Sequence, residues 1–431
     1  MTRARGALAV ALIAGAAACS TFDPEPSPVC PTGCAPGAIA RAWATTGEGR
    51  VRIESVAVDA FGELVLAGEF ELTLALPPYL TRVAFAHDAF IVRVPLAGDI
   101  IEAVTLARDD TSLHGVVPDH EGNVVALTTA SDLTMYAHLT LPATSLVDTA
   151  LFASSAPPVV VAAGDRHGRA IVAISAPDLT LGETLAGAHG LIVRLDQGPR
   201  PTVLVDWPDT VIRDLAIGPT GDLIVVGDYA GEVPGFLACS RRCAFVARLA
   251  ADGRLDPDRA IGWAYAYEAT VDSAFTSVAV GRDGAVIALG FNESPLVLAR
   301  FAYEGGAGLP LELAPATTAV TARHVAIGAD GTAYVAVTYR GTVTVGDREL
   351  PSQAAAPRHD TAVAAIAADG ALRWARRLGG TGTITAADLT IAKGYPVLAG
   401  EYDGTFPTEA LDAPVPPVAS GVEGFAIMLA P

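Results

Sequence analysis

Apolar residues in this chain fall in runs of about four to eight, each broken by Gly, Asp or Pro. Short apolar runs rich in Val, Ile and Ala between such breakers predict buried strands. One unit recurs: an apolar run, a turn around Gly, and a second apolar run. It reads SVAVDAFGELVLAGEF from Ser55, GVVPDHEGNVVALTT from Gly115, VVAAGDRHGRAIVAI from Val160 and LAIGPTGDLIVVGDY from Leu215. It returns as VAVGRDGAVIALGF from Val278, VAIGADGTAYVAVTY from Val325 and LTIAKGYPVLAGEY from Leu389. The turn glycines are Gly62, Gly122, Gly168, Gly221, Gly284, Gly331 and Gly394, spaced by 46 to 63 residues. Gly beside Asp or Asn tolerates the positive φ of a tight hairpin. A third run follows most copies, as in DAFIVRV from Asp88, GLIVRL from Gly190, CAFVARL from Cys243 and DTAVAAI from Asp360. A fourth is plainest in DGALRWARRL from Asp369.

Seven copies of a four-stranded unit predict an all-β fold, a seven-bladed β-propeller of four-stranded blades. Blades packed on both faces should carry continuously apolar strands instead of strict alternation, and these do. The ends complement each other. Ala40-Arg41-Ala42-Trp43-Ala44 is similar to the fourth-run segment Leu372-Arg373-Trp374-Ala375-Arg376. The chain stops at Phe425–Leu429, a third run with no fourth after it. The N-terminal strand is therefore predicted to complete the last blade, which removes two sheet edges.

The stretch from Asp360 to Phe406, with DGALRWARRLGG and then VLAGEYDGTF, resembles the bacterial β-propeller repeats called SBBP. The resemblance spans residues 38–431, clear in the first, fourth, sixth and seventh copies and degenerate in the second and third. It implies a propeller, often on a cell-surface lipoprotein, and no defined activity.

Composition sharpens the address. The 431 residues are 51% hydrophobic, with mean hydropathy +0.41. Beyond the N-terminus, though, no uninterrupted apolar run reaches the roughly 18–20 residues of a spanning helix. A net charge of −19 excludes nucleic acid as a partner and fits a soluble acidic surface. Arg3 and Arg5 precede the apolar stretch Ala7–Ala18, so residues 1–18 read as a signal peptide. The ending Ala16-Ala17-Ala18-Cys19-Ser20 resembles the bacterial lipoprotein signal, in which the cysteine, here Cys19, is lipid-modified. Ala16 stands where that signal usually has Leu, and simple cleavage after Ala18 is the alternative; both readings export the chain. Residues 19–37 carry Pro24, Pro26, Pro28, Pro31 and Pro36, an extended tether before the propeller at 38–431. The remaining cysteines, Cys30, Cys34, Cys239 and Cys243, are even in number and suit disulfides in an exported chain, most simply as two local pairs.

Candidate chemistry is sparse. In a propeller the connections from second to third strand share one face, and here they look long and irregular at Glu71–His87, Ala130–Val147, Gly341–His359 and Asp403–Val422. Variable loops on a rigid scaffold suggest a binding face for a protein or glycan. Three second strands end in Gly-acid-aromatic: Gly68-Glu69-Phe70, Gly227-Asp228-Tyr229 and Gly400-Glu401-Tyr402. Glu69, Asp228 and Glu401 are a weak Ca²⁺ candidate; solvated strand ends are the simpler reading. His87-Asp88 and His359-Asp360 have the makings of a general base, but no nucleophile accompanies them, and turn capping explains the aspartates. Arg93, Arg194, Arg248 and Arg300 share one slot in the third strand, where they line a groove or pair with nearby acids. No Walker loop, Gly-x-Ser-x-Gly elbow or His-Glu-x-x-His helix is present. The sequence thus points to a monomeric, non-catalytic binding or scaffolding propeller, without a cofactor, lipid-anchored to a bacterial outer membrane or cell surface. The alternatives are an extracytoplasmic glycan hydrolase or lyase, and an inert structural surface protein.

Overall fold

The computed structural model describes residues 35–431, except 46–47, 77–79, 97–99, 107–110, 141–145, 166, 182, 196–200, 234–235, 237, 254–262, 268–271, 293–295, 307–310, 315–318, 353–357 and 405–420. The signal-like segment, Cys19, Cys30 and Cys34 lie outside the described residues.

The fold is all-β and antiparallel, of propeller type. Each repeat begins with a hairpin around its predicted glycine, and the seven turn glycines take φ values between 75° and 90°. Aspartate side chains brace several of these turns. Asp59 accepts the N–H groups of Phe61 and Glu63, both at 2.9 Å, and Asp165 accepts those of His167 and Arg169 at 2.8 and 2.9 Å. Such local bonds are why Asp and Gly together punctuate the sequence.

Sheet 1 runs in order Val51–Val58, Leu64–Leu76, Leu80–Val94 and Glu102–Leu106. Sheet 4 (Thr210–Ile217, Leu223–Gly231, Cys239–Leu249, Trp263–Tyr267) and sheet 5 (Ser273–Val280, Val286–Asn292, Leu296–Phe301, Leu311–Ala314) repeat that order. So does sheet 6, with Ala319–Ile327, Ala333–Arg340, Asp360–Ile366 and Leu372–Leu378; a separate hairpin, Thr342–Val345 with Arg348–Pro351, lies between its second and third strands. The units of the two degenerate repeats are also present. Ser112–Pro118, Val124–Thr129, Thr134–Thr140 and Leu146–Ser154 form sheet 2; Val159–Gly164, Ala170–Leu181, Glu183–Leu195 and Thr202–Pro208 form sheet 3. A short bridge, Leu179 to Ser154 and Thr180 to Ala153, joins them into one eight-stranded sheet. Sheet 7 holds Ile384–Ala392, Tyr395–Asp403 and Val422–Leu429, with Ile39–Ala44 paired antiparallel on its outer edge, Trp43 opposite Ala426.

Three of the predicted irregular loops hold ordered hairpins, the one in Gly341–His359 being Thr342–Val345 with Arg348–Pro351. In Glu71–His87 the ladder continues, after a bulge at Leu72, to Leu76 opposite Leu80. In Ala130–Val147 the chain turns within four residues and re-enters as Thr134–Thr140.

There is no single core. Each hydrophobic cluster joins two consecutive sheets: Val65, Ala67 and Ile91 of sheet 1 pack on Val116 and Ala126 of sheet 2, and so on around the molecule. A further cluster packs Val51, Ile53 and Phe90 of sheet 1 against Trp43, Val397 and Met428 of sheet 7. Burial on both faces explains continuous apolar strands such as Asp360–Ile366, buried at every position.

Candidate functional site

The first strands of the sheets, Val51–Val58, Ser112–Pro118, Val159–Gly164, Thr210–Ile217, Ser273–Val280, Ala319–Ile327 and Ile384–Ala392, contact one another in sequence, and the last contacts the first. All seven line one channel of about 580 Å³. In six of these strands the ladder slips by one residue near its start, between Ile53 and Ser55, Leu113 and Gly115, Ile212 and Asp214, Phe275 and Ser277, Val320 and Ala322, and Ala386 and Asp388. A bulge re-aims the extra side chain. Four of the extra residues, Glu54, His114, Arg213 and Thr276, thereby line the channel, and Arg323 joins them from two residues beyond its own bulge at Thr321.

The next residue along each strand stitches the ring together. Asp388 accepts the Val56 N–H at 2.9 Å and the Ser55 hydroxyl at 3.2 Å. Asp214 accepts the Val278 N–H at 2.7 Å, and Ser277 accepts the Val325 N–H at 3.1 Å. Second strands add similar links: Ser175 accepts Ile212 N–H at 2.8 Å, Thr338 accepts Ala386 N–H at 2.9 Å, and Glu69 accepts Leu113 N–H at 2.5 Å. The first strands stand at the edges of their sheets, so these backbone N–H groups lack a ladder partner and a neighbouring sheet satisfies them. Burial controls the protonation of this wall. It raises Asp214 to about 6, with the charge of Asp388 adding, and lowers His114 to about 4. His324 is also lowered by burial, opposed by Asp388.

The three candidate Ca²⁺ carboxylates sit where the Gly-acid-aromatic motif places them, each held by arginine. Glu401 binds Arg50 through contacts of 2.7 to 3.0 Å. Glu69 binds Arg52 at 2.6 Å, and Asp228 is shared by Arg213 and Arg242. Glu69 and Glu401 act on the same neighbour, Glu54, which burial raises to about 7, opposed by Arg52 and reinforced by Glu69 and Glu401. Asp228 lies apart, in sheet 4. The motif's other members are structural. A Cβ on Gly68, Gly227 or Gly400 would meet the carbonyl oxygen of Arg52, Val211 or Thr385 at 1.9 to 2.0 Å, because the bulged strand presses against it. Phe70, Tyr229 and Tyr402 are buried.

The remaining candidates are also engaged. His87 Nδ1 lies 3.6 Å from Glu71, and Asp360 is fully buried with Arg377 at 3.3 Å. His359 sits at the start of its strand, its carbonyl accepting the Ile384 N–H. Asp88 pairs within the ladder opposite Phe70. The arginine slot bridges neighbouring sheets: Arg93 reaches the Gly122 carbonyl, Arg248 binds Asp222 at 2.7 Å and stacks on Tyr303, and Arg300 donates to Ala367 O at 2.9 Å. Arg194 occupies the matching position in sheet 3, opposite Ile171. Cys239 and Cys243 form a disulfide with Cα atoms 6.1 Å apart, spanning the irregular start of the third strand of sheet 4.

Among solved structures this chain is similar to a protein from Lactobacillus plantarum, at 13% identity and TM-score 0.47, covering 83% of this chain and 98% of that one. It is also similar to regucalcin from Agrobacterium tumefaciens, described as a calcium-binding protein (13% identity, TM-score 0.37, 68% and 84% covered). A third is a puromycin hydrolase (15%, TM-score 0.43, 87% and 60% covered). No family model and no curated protein matches the chain. At such identities no activity transfers.

The channel residues escaped sequence reasoning because the position carries no constant residue type, being Glu54, His114, Arg213, Thr276 and Arg323 in successive cases. A positional signal existed. Counting back five residues from the turn's first residue gives Glu54, His114, Arg213, Thr276 and Arg323, polar intrusions in apolar strands.

Proposed function

We propose that this chain is an exported protein, lipid-anchored through Cys19, whose residues 38–431 form a seven-bladed β-propeller that binds a protein or glycan without catalysis. One observation carries the reading: seven first strands pack cyclically around one polar channel. Seven four-stranded blades, the last completed by Ile39–Ala44, account for that cycle and for a hydrophobic cluster at every seam. A rigid ring with an axial channel and rim hairpins is a favourable place for a ligand. The signal-like residues 1–18, the Pro-rich tether 19–37 and the SBBP-like repeats support an outer-membrane or cell-surface address. Binding is favoured over catalysis because Glu69, Asp228 and Glu401 are each committed to an arginine.

The test applies the purified chain to a glycan array and to an extracellular pull-down, beside a variant trimmed at the Leu72–Val83 hairpin. Retention that weakens on trimming supports the reading; no enrichment over the trimmed chain contradicts it. Cys19→Ala should release the protein from the membrane fraction, and continued membrane retention would contradict the anchor. One observation favours a glycan-cleaving enzyme instead: Glu54, at about 7, has the pKa of a general acid. Cleavage products from array glycans, lost in Glu54→Gln, would establish that alternative.

A further inference from the structure

We propose that Arg213, Thr276 and Arg323, on three consecutive first strands, form a subsite in the channel for an oxyanion, a carboxylate or phosphate carried by a small ligand. This deepens the binding reading above and rests on it.

Arg323 is the key. It lines the channel, and its Nε has no hydrogen-bond partner. Its recorded contacts are a bond from Nη2 to the Val320 carbonyl at 3.1 Å and the face of Phe291, 4.9 Å from the guanidinium carbon. No carboxylate among the described residues pairs with it. Burying a guanidinium without a counter-charge is costly, and here a second cation adds to the cost: Arg213 repels it. Arg213 in turn shares its one carboxylate, Asp228, with Arg242. Among the described residues Asp228 is thus the one carboxylate ion-paired with these three guanidinium groups, in a protein of formal charge −19.

The nearest acid along the wall, Asp214, does not relieve the imbalance. It accepts the Val278 and Leu215 N–H groups at 2.7 and 2.8 Å and a bond from Ser277, and so serves the backbone. Between the two arginines sits Thr276, which lines the channel and whose hydroxyl donates to the Leu289 carbonyl at 3.2 Å. The opposite arc carries Glu54, whose carboxylate form repels a second anion, and His114, which burial keeps neutral. The channel is thus polarised across its width. A guanidinium with a free N–H in a confined site is the chemistry that recognises a carboxylate or phosphate.

The full chain is titrated with sodium glucuronate, inorganic phosphate and neutral glucose by calorimetry, beside Arg323→Met and Arg323→Lys. Glucuronate or phosphate should bind and glucose should not; the anion that saturates names the source. Arg323→Met should weaken binding about tenfold or more, the scale of one charge-assisted contact, and Arg323→Lys less. If Arg323→Met fails to fold, the ¹⁵Nε–H resonance of Arg323 in the unaltered chain decides, and it should shift on adding the anion. Absence of anion binding, equal binding by Arg323→Met, or an unmoved resonance overturns the subsite. A neutral glycan retained on the array and unaffected by Arg323→Met overturns it too, while leaving the broader binding reading intact.

Discussion

Thr338→Val separates the hydrogen bonds between neighbouring sheets from the packing around them. Thr338 is 1% exposed, in the second strand of sheet 6. Its hydroxyl oxygen accepts the Ala386 N–H of sheet 7 at 2.9 Å and lies 3.1 Å from the Thr361 hydroxyl, which donates to the Ile384 carbonyl at 2.9 Å. Valine matches threonine in shape but offers no acceptor, so the Ala386 N–H is left buried and unpaired. That penalty is about 1–3 kcal/mol, and loss of the bond to Thr361 brings the total to roughly 2–4 kcal/mol. Thr338→Ser keeps the hydroxyl and loses one methyl, costing about 1 kcal/mol. Urea unfolding followed by tryptophan emission reports this seam, since Trp374 packs in its hydrophobic cluster. An unfolding midpoint for Thr338→Val equal to the unaltered chain, or a Thr338→Ser variant equally damaged, would refute the reasoning.

Gly400→Ala should destabilise by about 3 kcal/mol or more, because its Cβ would sit 2.0 Å from the Thr385 carbonyl oxygen. Gly231→Ala, with open space around it but φ of +73°, should cost only about 1 kcal/mol, and the same urea unfolding compares the two. His114 has a folded-state pKa of about 4, below its unfolded value near 6.5. The unfolded chain therefore takes up the extra proton between those values, and stability should fall on the order of 2 kcal/mol as pH drops from 6.5 to 4. His114→Gln should flatten that part of a stability-versus-pH curve. Replacing both Cys239 and Cys243 by Ser should cost about 2 kcal/mol while circular dichroism stays β-type, since the disulfide closes a very short loop.

The features legible in the sequence were those set locally. A turn glycine with positive φ and an aspartate bracing its hairpin act within five residues, so Asp59, Gly62 and their counterparts announced themselves. Third strands such as Asp360–Ile366 were legible because burial on both faces leaves an unbroken apolar run. The Gly-acid-aromatic triplets were visible, but their cause was not. Gly400 is demanded by a carbonyl 15 residues away in the chain, and Glu401 is held by Arg50, 351 residues away. Such partners exist only once the first and last sheets meet. The channel was hidden for a related reason: Glu54, His114, Arg213, Thr276 and Arg323 share a position relative to their turns but no common residue type. The hairpin beyond Glu71 was missed because its consecutive prolines, Pro77 and Pro78, read as a loop breaker until the pairing of the strands on either side is known.

The pairing of the first strand with the last tests the account most directly. Ala42 and Ile427 are cross-strand partners. The chain carrying Ala42→Cys and Ile427→Cys, oxidised, digested and analysed by mass spectrometry, should yield a peptide joining those two positions in nearly all molecules. A shifted control, Ala42→Cys with Ala430→Cys, should not. Failure of the 42–427 link to form, or equal linking in the shifted control, would contradict a ring completed by its own N-terminal strand.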